Sequence, residues 1–445
     1  MININTILEL CHGSYLGDDY NIPCIHFSSD TRTINKGDIY VGIKGDTFNG
    51  NNFYQDAFSK GAALCILDDD TLIDSSYQQS NIILVSNTIE AIQKIATYKR
   101  EQYDIPVIAV TGSVGKTSVK DMIYAVLSKK YNVHYNRGNK NNHIGLPFTI
   151  LELADHDAMI VEMGMNHFGE IHTLTNIAKP TIGVITNIGT AHIGNLGSRE
   201  NILKAKLEIL DGMPNGTLII NNDNDLLHTV KYDKLITTGI HNQSDYMAKD
   251  ITIDAFSSTF SIDDNYLTLP IGSEAFINNA LLAYATGIKL GVSIQDIEDA
   301  LENLKLTPHR LEVIKHPNYT LIDDTYNASL DSVKNAAELL NRVKDHRRVF
   351  IFADILELDA YGENIHTEIG QIMLDNNIDL LITVGNLSKY THEVFKSQNN
   401  NTHHFDNNQQ LLTNIKSLIN NDDLILIKGS HSMNLIEVVN YLKNN

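Results

Sequence analysis

The chain reads as an α/β protein of three domains: a small α/β domain, then two larger domains each built on a mainly parallel sheet. Three observations predict this. Short apolar, β-branched runs alternate with helical stripes in two successive series, one opening at residue 107 and one near residue 313. Such alternation implies parallel strands with helices on both faces. A glycine-containing turn joins the first buried run of the central series directly to a helix. The length, 445 residues, allows several separate cores at the usual domain size of roughly 100–200 residues.

The first domain covers residues 1–85. Short apolar runs within SSDTRTINKGDIYVGIKGDTFNGNNF (28–53) and FSKGAALCIL (58–67) are bounded by Gly, Asp and Asn, the punctuation of short strands and turns. The central domain, 86–312, opens with a helix over 88–100 that places Ile89, Ile92, Ile95 and Ala96 on one face. Pro106 precedes a buried strand at 107–110. The next helix carries Val119, Met122, Ile123, Val126 and Leu127 on one stripe. Further strands are predicted at 159–161, 182–188 and 218–220. The third domain, 313–445, has strands at 319–322, 349–352, 380–384 and 424–427 and a helix over 362–374 with Ile365, Ile369 and Met373 inward. This is a doubly wound, Rossmann-like pattern.

Hydrophobic residues make up 42% and charged residues 20%, as in ordinary globular proteins. No apolar run approaches the ~18 residues that span a bilayer, and the N-terminal stretch lacks the basic start and apolar run of a signal peptide. A cytoplasmic protein without a membrane partner is expected. The three cysteines, Cys11, Cys24 and Cys65, form no CxxC pair and read as free thiols in or near a core. The net charge of −20 disfavours nucleic acid, which selects for basic surfaces. A phosphate-bearing substrate must then be held by a local positive site.

VTGSVGKTS (110–118) supplies one. It lies between a buried strand and an amphipathic helix, the setting of a P-loop. Gly112 and Gly115 let the backbone turn, with Ser113 and Val114 between them, so that N–H groups face phosphate oxygens. Lys116 brings a charge to the β- and γ-phosphates, Thr117 a hydroxyl for Mg²⁺, and Ser118 continues a helix whose N-terminus favours anions. The loop is the short form, G-x-x-G-K-T; the first Gly of the longer pattern falls at Val110.

With seven further segments the loop resembles the Mur ligase family. These are DTRTINKGDIYVGIKGDTFNGNNF (30–53), GNKNNHIGLP (138–147), VEMGMNHFGEI (161–171), TNIGTAHIGNLGSRENILKAKLEI (186–209), DDTYNASLDSV (323–333) together with DILEL (354–358), and IKGSHSM (427–433). The resemblance runs through nearly the whole chain. It is greatest to the branch that joins D-alanyl-D-alanine to UDP-N-acetylmuramoyl-tripeptide; a Mur-type ligase with another acceptor or donor is the alternative, and a P-loop binding module a third.

The resemblance implies an ATP-dependent amide ligase working through an acyl phosphate, with small-molecule substrates and two Mg²⁺ ions, and probable action as a monomer. Lys116, Lys206, His192 and Arg310 would be catalytic. Thr117 and Glu162 would hold one Mg²⁺, and His192 a second, helped by carbamylated Lys206; Lys204 is the alternative lysine on the same helix. Asn279, Arg310 and Asp324 would meet the nucleotide. The UDP substrate would be met by Thr31, Arg32, Lys44 and Asn51, with Asn139 and Asn142. Asn327 would lie toward the cleft, Asp354 and Glu357 would receive the acceptor amine, and Lys428 with Ser430 its carboxylate. Uridine, phosphate and acceptor groups on three domains imply closure on ligands, with hinges near 85 and 313.

The sequence departs from the family pattern at four places. Ala275 and Phe276 replace the His and Asn of the adenine-side motif, leaving Phe276 or Asn278 to serve adenine; Ser329-Leu330 replaces N-P; Ala353 replaces Gly; His431 replaces Arg.

Overall fold

A computed structural model describes residues 2–254 and 256–444. It is a mixed α/β structure with four sheets, and its described residues fall into two compact units. The first comprises Met1–Ala109, Tyr131–Gly183 and Glu208–Gly216; the second comprises Val110–Lys130, Val184–Leu207 and Thr217–Asn445. Among the described residues no helix is long and apolar enough to cross a membrane.

In the first unit a five-stranded sheet is built on Leu64–Leu67, which runs parallel to Ile39–Val41 and to Ile82–Leu84. Tyr40, Tyr54, Ala57, Cys65 and Ile82 fill its core. The expected 88–100 helix forms as Thr88–Glu101, capped by the Asn87 side chain on Glu90 N–H at 3.0 Å. Lys99 and Arg100 lie in its last turn, where cations suit the helix dipole. Arg100 is buried and its Nε donates to Ala178 O at 2.9 Å, so a chain crossing is fixed by a satisfied charge. Ala158–Glu162 pairs in parallel with Val133–Tyr135.

In the second unit Lys116–Leu127 packs against Glu274–Lys289. The predicted stripe is realised: Val119, Met122, Ile123, Val126 and Leu127 are all buried. Gly287 permits the close approach, since a Cβ there would lie 2.6 Å from Val126 Cγ1. Thr217–Asn221, Leu235–Gly239 and Tyr246–Met247 are parallel neighbours. An antiparallel three-stranded sheet follows, from Lys249–Ile253, Ser258–Ile262 and Asn265–Leu269.

The C-terminal sheet has six strands. Thr320–Asp324, Leu424–Lys428, Arg348–Ala353, Leu380–Val384 and Thr402–Phe405 run parallel, and Glu312–Lys315 closes one edge antiparallel. Period-two alternation divides each strand between two cores. Phe350, Phe352, Leu381 and Leu426 face one layer of helices; Val349, Ile351, Ile382, Ile425 and Ile427 face the other. All four predicted C-terminal strands are present; Glu312–Lys315 and Thr402–Phe405 are additions. Cys11, Cys24 and Cys65 are free and buried, and burial pushes the Cys11 thiol up to about 11 and Cys24 to about 12.

Candidate active site

The glycine loop grows out of the strand Val107–Thr111. Gly112 (φ 153°) and Gly115 (φ 84°) both take conformations that side-chain-bearing residues avoid. A Cβ on Gly112 would lie 1.8 Å from Thr186 Oγ1, and one on Gly115 3.0 Å from Asn279 Oδ1. The strand predicted over 182–188 ends at Ile185, because the next residues turn to hold this loop. Ser113 N–H donates to Asn187 O at 3.0 Å, Val114 N–H to Asn187 Oδ1 at 2.9 Å, and Gly189 N–H to Ser113 Oγ at 2.9 Å. Asn187 is thus a structural anchor the motif analysis did not single out, although it lies inside the quoted TNIGTAH segment.

Lys116 begins the helix and its ammonium donates back to Gly112 O at 2.8 Å. Thr117 and Ser118 are buried one and two positions on. Arg310 Nη2 donates to Thr117 Oγ1 at 2.8 Å. The guanidinium carbon lies 3.9 Å from the centre of the Tyr326 ring, a cation–π stack. Arg310 Nε is buried and has no hydrogen-bond partner among the described residues.

Lys206 is 1% exposed whereas Lys204 is exposed. Burial first, and then the ammonium of Lys116, pushes its pKa well below the ordinary lysine value. A buried lysine whose amine is driven toward the neutral form therefore lies beside the phosphate loop, with Lys116 as the nearby cation.

Lys428 and Asp324 form a buried pair at 2.5 Å, and Lys428 also donates to Asn327 O at 2.9 Å. Burial pushes the Asp324 carboxyl above its usual range, opposed by Lys428 and Arg310. His192 has a left-handed backbone (φ 64°) and its Nδ1 lies 3.7 Å from Glu357 Oε2, with Glu357 73% exposed.

The first unit holds a separate group. Glu162 ends the strand Ala158–Glu162 and is buried; Asn141 Nδ2 donates to its Oε1 at 2.8 Å. Asn136 takes the Glu162 N–H at 2.8 Å and returns a bond to its carbonyl at 3.1 Å. Neither asparagine was singled out from sequence. Asn139 is exposed, and Asn142 Oδ1 receives Gly145 N–H at 2.8 Å at the start of Gly145–Leu151. Thr31 is partly buried and Arg32 exposed, the latter held by Asp30 at 2.7 Å; Lys44 is exposed.

Several residues expected to meet substrate make bonds within the protein. Asn51 is fully buried, donating to Asp68 Oδ1 at 2.7 Å and accepting Asp68 N–H at 3.0 Å. Asp354 accepts three backbone N–H groups, from Asn386, Leu387 and Ser388 at 2.8, 3.1 and 2.7 Å. Ser430 Oγ accepts Leu356 N–H at 2.9 Å. Lys428 is closed by its pair. Such bonds satisfy polar groups buried on folding.

The comparisons with known proteins agree with the arrangement of motifs. The Mur ligase middle domain matches residues 110–287, and the Mur ligase glutamate ligase domain matches 309–431. A UDP-N-acetylmuramoyl-tripeptide–D-alanyl-D-alanine ligase of Bacillus subtilis (strain 168) is 35% identical over 445 residues, covering 98% of this chain and 97% of that one. The ligase of the same name from Escherichia coli (strain K12) is 32% identical over 458 residues, covering 100% and 99%. Among solved structures, MurF from Acinetobacter baumannii superposes with a TM-score of 0.91 at 29% identity, over 99% of this chain and 98% of that one. A MurF ligase from Thermotoga maritima in complex with ADP gives 0.83 at 26% identity, over 95% and 98%. The chain belongs to the Mur ligase family.

Proposed function

We propose that the protein is an ATP-dependent ligase that joins the carboxylate of UDP-N-acetylmuramoyl-tripeptide to the amine of D-alanyl-D-alanine. Whole-length similarity to ligases of that name supports the substrates. The observation that carries the chemistry is the grouping of Lys116, Thr117, Arg310 and Lys206 around one glycine loop.

Amide formation from a carboxylate and an amine is uphill in water, so the carboxylate is activated. Its oxygen attacks the γ-phosphorus of ATP, ADP leaves, and an acyl phosphate forms. The amine then attacks the acyl carbon and phosphate departs. Two anions meet in the first step, so cations must offset their repulsion. Lys116 is proposed to leave the Gly112 carbonyl for the phosphates. Arg310 brings N–H groups beside Thr117, and its unpartnered Nε has bonding capacity to spare. Asn279 borders Gly115 and is a proposed nucleotide contact, and the buried Asn278 Oδ1, with no partner among the described residues, suits the adenine amine where the family's His and Asn are replaced.

Thr117 and Glu162 each carry an oxygen donor of the kind magnesium takes, and His192 is the proposed ligand of a second ion. When bound, magnesium would neutralise phosphate charge. Carbamylation of Lys206 requires a neutral amine, which its depressed pKa supplies. The carbamate would turn a like-charge neighbour of Lys116 into an opposite one. Thr31, Arg32, Lys44 and Asn139 remain the proposed UDP contacts. Division into 1–85, 86–312 and 313–445 remains part of the proposal; the two matched family domains, 110–287 and 309–431, meet near its second boundary. A cytoplasmic location and a monomeric state are part of the proposal.

A second reading, the same chemistry with another amine, is favoured by Ala353 and His431 standing where the family has Gly and Arg, and by the internal engagement of Asp354, Lys428 and Ser430. A panel of amines in a phosphate-release assay separates the two. Preference for D-alanyl-D-alanine is the expected outcome; preference for another amine would replace the first reading with the second.

A further inference from the structure

Arg310 reaches Thr117 from an unusual piece of backbone. The residues on either side of it, His309 (φ 68°) and Leu311 (φ 51°), are both left-handed and neither is glycine. A non-glycine residue in that region persists only where its surroundings hold it there. At position 309 the side chain is used. His309 Nδ1 lies 2.6 Å from Oδ2 of Asp323, which is 1% exposed. Asp323 is itself fixed, its Oδ1 accepting Thr325 N–H at 3.1 Å and Thr325 Oγ1–H at 2.7 Å. His309 O accepts Tyr326 N–H at 3.1 Å, which ties the same residue to the ring on which Arg310 stacks. On the far side, Leu311 N–H donates to Asp324 Oδ1 at 3.3 Å.

The ligand atoms of His309, Glu312 and Asp323 lie within 4.8 Å of one another, which could suggest a cation site. They are spent instead on each other and on the backbone: His309 N–H donates to Glu312 Oε2 at 3.2 Å while its ring faces Asp323. The group closes the turn around Arg310.

We propose that the His309–Asp323 pair is a positioning device for the ligase reaction. It holds the left-handed turn that aims the Arg310 guanidinium, over Tyr326, at the Thr117 end of the phosphate loop. The inference rests on the reading of Arg310 as a phosphate-contacting group. His309 and Asp323 touch no substrate in this account; they act through Arg310.

The test measures kcat and KM for ATP in phosphate release with both co-substrates present, alongside the thermal midpoint. The variants are Asp323→Ala, Asp323→Asn, His309→Gly and Arg310→Lys, and Asp323→Ala is also combined with Arg310→Lys. Misaiming a catalytic group by about 1 Å can cost about 100-fold. Asp323→Ala and His309→Gly are therefore expected to lower kcat about 10- to 100-fold with a much smaller change in KM. Asp323→Asn, which still accepts the imidazole N–H, is expected to recover most of the loss. In the Arg310→Lys background Asp323→Ala should change kcat by no more than about twofold, since two residues acting through one group are not additive. Full losses that multiply in both backgrounds, or a kcat in His309→Gly equal to that of the parent, would overturn the device. His309→Gly carries the test should Asp323→Ala not fold. Unimpaired Arg310→Lys and Arg310→Ala enzymes would instead remove the underlying reading of Arg310, and the device with it.

Discussion

At Lys206 burial and charge oppose each other directly. The side chain is dry and its electrostatic neighbour is another lysine, so the folded protein holds the amine neutral well below the ordinary lysine value. Between that depressed value and the unfolded value of about 10.4, the unfolded chain binds one more proton. Stability therefore rises with pH through that window, and the lysine weakens the fold at neutral pH. Lys206→Met is expected to raise the thermal midpoint in carbon dioxide-depleted buffer at neutral pH while removing ligase activity. A lowered midpoint would count against the account of a destabilising buried amine. Lys206→Ala should regain activity with added short carboxylates, and Lys204→Ala should need none; the reverse pattern would move the carbamate to Lys204. Lys116→Ala should keep its circular dichroism spectrum and lose about 100- to 1,000-fold in kcat, the cost of one preorganised charge-stabilising group. Near-normal turnover would end the P-loop assignment.

At the scale of elements, the strand–loop–helix unit depends on glycine where it passes Thr186. Gly112→Ala is expected to destabilise by about 1–3 kcal/mol, as overpacking does, with the denaturation midpoint as the readout. Asp354 offers a contrast. Its three amide bonds cap the start of Ser388–Lys396, so Asp354→Ala should lower stability by about 1–2 kcal/mol, as lost caps do. An unchanged denaturation midpoint with a raised KM for the dipeptide would restore Asp354 as a substrate contact. Both cases bear on what was legible in the sequence. Strands such as 349–352 and 424–427 were legible because continuous apolar runs signal burial on both faces. The strands Lys249–Ile253 and Thr402–Phe405 were not, since lysine, aspartate, threonine and histidine carry no such signal. Motif spacing singled out Lys206 and Lys204 together, and only the fold turns one inward. It also marked Asn51, Asp354 and Lys428 as polar groups in the right segments, but a motif does not tell a group that binds substrate from one that braces the site. Tyr326 and the His309–Asp323 pair escaped notice because their partners meet only in three dimensions.

At the scale of the whole molecule, 54 acidic residues outnumber 34 basic ones, yet the phosphate loop is flanked by Lys116 and Arg310. The positive charge is local and set in a negative chain, the arrangement expected of an enzyme that concentrates anions at one point while staying soluble. The matched family domains cover the phosphate loop and the C-terminal sheet, and full-length relatives join the remaining chain to them. The central claim is that ATP cleavage here is coupled to joining two substrates. The most direct measurement follows phosphate release from Mg·ATP with UDP-N-acetylmuramoyl-tripeptide and D-alanyl-D-alanine, each present or omitted in turn, with mass spectrometry of the nucleotide-linked product. Sustained phosphate release only when both are present, in amounts equal to the amide formed, is the expected result. Phosphate release at the same rate with either one omitted, or without any amide product, would contradict the account and leave a nucleotide-hydrolysing module in place of a ligase.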